Sequence, residues 1–218
     1  MVSISSLDIT GYGGRPLKNR FFRISTDTQD VALIFPGLAY NCDMPLLYYS
    51  IETILASGIN TLAVDYDYSN NPDYMKQLVR ERAEWLIGDI EATLNAVNKE
   101  ENQKVVCMVG KSLGTLALGH LIETHESLRD AKTIWLTPLV KNPELLEQML
   151  AYMKDAVLVI GTKDSHYDSD IIDRLNISTQ LSGIVIDGAN HSLEIEGDVT
   201  KSLRVLMQIV TIVQQFLA

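Results

Sequence analysis

With 218 residues, 46% of them hydrophobic, the chain is long enough to bury one substantial core, and a single domain over residues 1–218 is expected. Its formal net charge of −10 opposes nucleic acid and anionic membrane surfaces as partners, because both would repel it. Only two cysteines occur, Cys42 and Cys107, which suits a reducing compartment better than a disulfide framework.

The opening stretch, MVSISSLDITG, has neither the basic nor the apolar region of a leader, and no apolar run approaches the roughly 18 residues of a membrane span. A cytoplasmic, unprocessed protein is therefore expected. Residues 4–10 and 21–26 read as an antiparallel pair at one sheet edge. A β-branched and apolar run at 31–35 predicts a strand, followed by a helix over 44–57 and a strand over 60–66. One long helix is predicted over 72–98. Strands at 104–109, 132–137, 156–161 and 183–187 then alternate with helices at 113–127, 143–153, 168–175 and 198–217. This alternation builds an α/β fold, a mainly parallel sheet with helices on both faces. No repeat, low-complexity segment or linker divides the chain.

The stretch from Val106 to Leu121, VCMVGKSLGTLALGHL, carries the chemistry. Gly110-Lys111-Ser112 ends like a phosphate-binding loop, but such a loop needs a glycine five positions before Gly110, and Val105 stands there in an apolar run. The run reads instead as a buried strand reaching Gly110, then a sharp turn with Ser112 at its apex, then a helix. A turn that tight brings strand end and helix start almost into contact, so small residues are needed two positions either side of the serine. Gly110 and Gly114 fill those places. The helix directs its positive N-terminal end at the serine, where an oxyanion would form.

In open α/β sheets, ligands bind outside the carboxyl ends of the strands. Three of those ends bring Ser112, Asp164 and His191, in that chain order. Acyl transfer needs these groups: a hydroxyl nucleophile, a neutral imidazole to take its proton, and a carboxylate to fix the imidazole's tautomer. Asp164 would also suit a turn before the helix at 168–175, and His191 alone could be an ordinary loop histidine. The constellation favours catalysis.

In these features the chain resembles the α/β-hydrolase family along nearly its whole length. The family carries its nucleophile in G-x-S-x-G and its triad in this order. The resemblance implies Ser112 as nucleophile, Asp164 as acid and His191 as base, with the Leu113 N–H as one oxyanion donor. The second would be Leu38, in Phe35-Pro36-Gly37-Leu38-Ala39-Tyr40. Many members have His-Gly where this chain has Pro36-Gly37, which leaves Ala39 as the alternative donor. About eighteen residues separate Thr137 from Ala156, room for one short helix and no cap domain. A shallow, accessible cleft is expected, lined by Leu38, Tyr40, Leu113, Pro138, Leu139 and Tyr167. The size resembles small dienelactone-hydrolase-like, esterase and thioesterase members, although dienelactone hydrolases use a cysteine where this chain has Ser112.

The expected activity is hydrolysis of an ester, thioester or related acyl bond in a small molecule through a Ser112 acyl-enzyme, with no cofactor and no metal. Members of this fold also serve as ligand-binding or scaffold proteins, and that is the alternative. His166, near Asp164, Asp168 and Asp170, is one histidine among aspartates and not a zinc signature. His120 and His125 are expected to be packing or surface residues, Lys111 a solvated or salt-bridged lysine, and Cys42 an unactivated thiol.

Overall fold

The computed structural model describes residues 2–24, 28–178 and 181–218. Eight strands form one sheet: β1 (Ser3–Ser5), β2 (Lys18–Arg23), β3 (Asp30–Phe35), β4 (Asn60–Asp65), β5 (Lys104–Lys111), β6 (Lys132–Leu136), β7 (Ala156–Gly161) and β8 (Leu181–Ile186). Their order is β1-β2-β4-β3-β5-β6-β7-β8. Pairing is parallel from β4 through to β8, and antiparallel where β2 meets β4 and β1. The predicted edge pair is thus real but shifted. β2 begins at Lys18, where pairing with Asp65 of β4 starts, and the buried Asn19 ties it to the preceding segment, accepting from Leu7 N–H and donating to the Leu7 and Leu17 carbonyls. The last two residues predicted for that strand, 25 and 26, lie outside the described residues.

Among the described residues seven α-helices accompany the sheet: α1 (Pro45–Ala56), α2 (Pro72–Met75), α3 (Val79–Lys99), α4 (Gly114–Thr124), α5 (Pro143–Tyr152), α6 (Ser169–Ser178) and α7 (Val199–Leu217). On one face Leu86 and Ile90 of α3, Leu118 of α4, Leu145 of α5 and Ile172 of α6 join the inward residues of the strands. On the other, Leu47 and Ile51 of α1 pack with Val205, Ile209 and Val213 of α7. Two cores on opposite faces explain why the strands are apolar almost without alternation.

Two helices end differently from their prediction. The single helix predicted over 72–98 is broken, because Tyr74 turns inward to stack on Tyr68 and Arg82 donates to the Tyr74 and Met75 carbonyls, closing α2. Glu81 then accepts the Leu78 N–H at 2.9 Å and starts α3 afresh. The helix predicted to 127 stops at Thr124, where His125 becomes extended and points its ring at Glu91. Between β6 and β7 only α5 is inserted.

Candidate active site

β5 runs on through Gly110 to Lys111, and Ser112 follows with φ of 52°, the left-handed region that a non-glycine residue enters only under constraint. The constraint is visible. Ser112 N–H donates to the Leu136 carbonyl of β6 at 3.0 Å, while its own carbonyl accepts from Thr115 N–H at 2.9 Å and Thr115 Oγ1 at 2.6 Å. A Cβ on Gly110 would stand 2.5 Å from the Gly114 carbonyl oxygen, so strand and helix can meet only if this residue is glycine.

Asp164 sits in the turn that leaves β7, with its N–H on the Gly161 carbonyl and its carbonyl accepting from Tyr167 N–H. Its side chain is buried, and Oδ1 accepts His166 N–H at 2.9 Å. Burial opposes its charge, but the hydrogen bonds from the His191 ring and the His166 backbone outweigh that and hold its pKa below the ordinary carboxylate value. His191 follows β8 on a loop docked to the end of β7, where Lys163 N–H donates to Ala189 carbonyl. Asn190 braces the loop from behind, its Oδ1 accepting from the N–H groups of Ser192 and Glu194.

The three side chains form one chain of contacts. His191 Nε2 lies 2.8 Å from Ser112 Oγ, and His191 Nδ1 lies 2.7 Å from Asp164 Oδ2. Ser112 and His191 are both half-buried. The 36–40 loop closes over the serine: a Cβ on Gly37 would be 3.4 Å from Ser112 Cβ. Among the described residues the N–H groups of Leu38, Ala39 and Leu113 have no acceptor.

A cavity of about 290 Å³ is lined by Leu38 and Tyr40 of the 36–40 loop with Lys18, Asp43, Asp65 and Asp67. Leu113, Pro138, Leu139 and Tyr167 do not line it. Thr137 takes a φ of 47° and turns the chain so that Pro138 is buried, while Leu139 and Tyr167 pack half-buried against the core.

Lys111 departs from its expectation. Lys111 is neither solvated nor salt-bridged: it is 1% exposed, and Nζ donates to the His191 carbonyl at 2.8 Å. Its local sequence gives no sign of this, since only the direction of the turn decides where the side chain points. His120 and His125 both meet Glu91, through Nε2 contacts of 2.6 and 2.9 Å. The His166 ring stands 5.6 Å from the His191 ring. Buried Cys42 donates its S–H to the Val64 carbonyl. Among the described residues no cluster of three His, Cys, Asp or Glu side chains is suited to a metal ion, and no helix is long and apolar enough to cross a membrane.

Comparison with known proteins agrees with this architecture. No curated protein matches the chain. Est1E from Butyrivibrio proteoclasticus has a TM-score of 0.73 at 14% identity, covering 97% of each chain. An α/β serine hydrolase without lid from Xanthomonas campestris gives 0.70 at 13%, covering 99% of this chain and 93% of its own. Dienelactone hydrolase from Anabaena variabilis gives 0.66 at 17%, covering 99% and 96%. At such identities the likeness is one of fold. Residues 37–218 match the model of the alpha/beta hydrolase domain, so the chain belongs to the alpha/beta hydrolase family.

Proposed function

We propose that the protein is a serine hydrolase that cleaves an ester, thioester or related acyl bond of a small molecule. The observation that carries this is the contact chain from Ser112 Oγ through the two nitrogens of His191 to Asp164. Asp164 accepts Nδ1–H and so fixes the tautomer that leaves Nε2 free to take the serine proton. Attack of Oγ on the acyl carbon makes a tetrahedral oxyanion. Leu113 N–H, at the positive end of α4, and Leu38 or Ala39 N–H are the donors proposed to receive it. His191 then gives its proton to the leaving group, and water hydrolyses the acyl-enzyme by the same steps in reverse.

The solved structures described as a Pyrococcus furiosus esterase, a serine hydrolase without lid and a dienelactone hydrolase support hydrolysis as the chemistry without fixing the acyl group. With α5 alone between β6 and β7, the site is open to substrates that project into solvent. A fluorophosphonate probe should label the native chain and leave Ser112→Ala unlabelled. Absent labelling, or equal labelling of both, would refute the hydrolase reading and favour a ligand-binding or scaffold role.

A further inference from the structure

Lys111 precedes Ser112 and is among the largest side chains that the fold buries completely. Removing an ammonium from water costs several kcal/mol, and a lysine so placed is normally compensated by a carboxylate. Here it is not. Among the described residues Nζ has no ion pair within 4 Å; it donates to the His191 carbonyl at 2.8 Å and stands 5.1 Å from the centre of the Tyr40 ring. Its neighbours on the same strand, Cys107 and Val109, are buried without charge.

We propose that Lys111 is a positioning residue for the reaction at Ser112. It ties the main chain of His191 to the end of β5 and to Tyr40 of the 36–40 loop, so that base, nucleophile and oxyanion loop are held by one ammonium. This rests on the hydrolase reading above. The tie acts where it matters most, because the carbonyl it grips belongs to the residue whose ring must stay 2.8 Å from Ser112 Oγ. Asn190 braces only the residues that follow. The groups acting on the ammonium are the Asp164 carboxylate on the β7 turn, the His166 imidazole and the face of the Tyr40 ring, with Glu194 acting on Tyr40 from the histidine loop.

Burial pushes the Lys111 pKa down to about 8, with Asp164 pulling the other way. Below that pH the ammonium makes a charge-assisted bond and a cation–π contact; above it a neutral amine makes only a weaker bond. The tie should loosen on the alkaline side.

The test is hydrolysis of p-nitrophenyl acetate by the wild type, Ser112→Ala and Lys111→Met. Misplacing a catalytic group by about 1 Å can cost roughly 100-fold. Lys111→Met should therefore lose about 10- to 100-fold in kcat with KM nearly unchanged. Its melting temperature should hold or rise, because an apolar isostere removes a buried charge. A merely structural lysine would move stability and leave kcat alone. A folded Lys111→Met with kcat within about threefold of wild type, far less than the expected loss, would overturn the proposal. Should that variant fail to fold, the wild-type profile decides: a fall in kcat centred near the Lys111 pKa of about 8 supports it, and a flat profile through that range overturns it. Ser112→Ala separates the two ideas, since retention of the wild-type rate there would sink the hydrolase reading itself.

Discussion

Gly114 lies so close to Phe35 that a Cβ built on it would stand 2.0 Å from the Phe35 carbonyl oxygen. The first turn of α4 thus rests on the end of β3, and the same approach brings the 36–40 loop beside Ser112. Gly114→Ala must push β3 and α4 apart against backbone, which cannot yield as a side chain would. We expect a loss of about 3 kcal/mol in urea unfolding, at the upper end for overpacking, together with a fall in ester hydrolysis. A variant with wild-type stability and rate would show that the elbow is looser than described.

Asp89 of α3 anchors the segment that follows β4. Its buried carboxylate accepts from Tyr68 Oη at 2.6 Å and from Tyr12 N–H at 2.7 Å, and Tyr68 in turn stacks between Tyr66 and Tyr74. Burial raises its pKa, and these hydrogen bonds only partly offset that. Asp89→Ala leaves a buried hydroxyl and an N–H without an acceptor, so unfolding should become easier by about 2–4 kcal/mol. Asp89→Asn keeps an acceptor and should lose less; equal losses in the two variants would argue against this account.

What was legible in the sequence was what local sterics and strand order dictate. Gly110, Ser112 and Gly114 could be read because the tight turn admits little else, and Asp164 and His191 because parallel strands deliver their ends to one edge. The break after Met75 was hidden because it depends on Tyr74 and Arg82 finding partners inside the fold. Lys111 was misjudged for the same reason, its partner being a carbonyl 80 positions away. Gly161 could have been noticed: a Cβ there would stand 2.1 Å from the Ala189 carbonyl oxygen, and this glycine lets the Asp164 turn and the His191 loop touch. The cavity lined by Asp43, Asp65 and Asp67 needed the path of the 36–40 loop, which no periodicity reveals.

Glu91 of α3 holds His120 and His125 at the end of α4. Burial opposes its charge, but hydrogen bonds from His125 and then His120 outweigh it and bring its pKa below the ordinary 4.5. A carboxylate with a lowered folded pKa gives stability that is present above the unfolded value and is lost as pH falls through the folded one. Because the carboxylate is about a third exposed, solvent screens the contribution to about 0.5–1 kcal/mol. Glu91→Gln should therefore be less stable than wild type by that amount near neutral pH, and the difference should close in acid. A gap that stayed constant well below the carboxylate range would mean that charge is not its source.

The last expectation concerns rate. If Ser112 attacks and His191 is its base, the 2.8 Å contact between them makes the pair one functional unit, and removing either disables both. Ser112→Ala and His191→Ala should each lose roughly 10⁶ in kcat, and the double variant should be little worse than either single one. Asp164→Asn should lose about 10⁴ or less, since it disturbs the tautomer and the stabilisation of the imidazolium while nucleophile and oxyanion donors stay in place. Stability should barely change for Ser112→Ala, whose half-exposed hydroxyl contributes little packing. Asp164→Asn should be somewhat destabilised, because its buried carboxylate also receives His166 N–H. Rates on short-chain p-nitrophenyl esters measure all four variants in one assay. Losses that multiplied in the double variant would mean that serine and histidine act independently, and more than about a tenth of the wild-type rate in either single variant, against the expected 10⁶, would end the hydrolase assignment at this site.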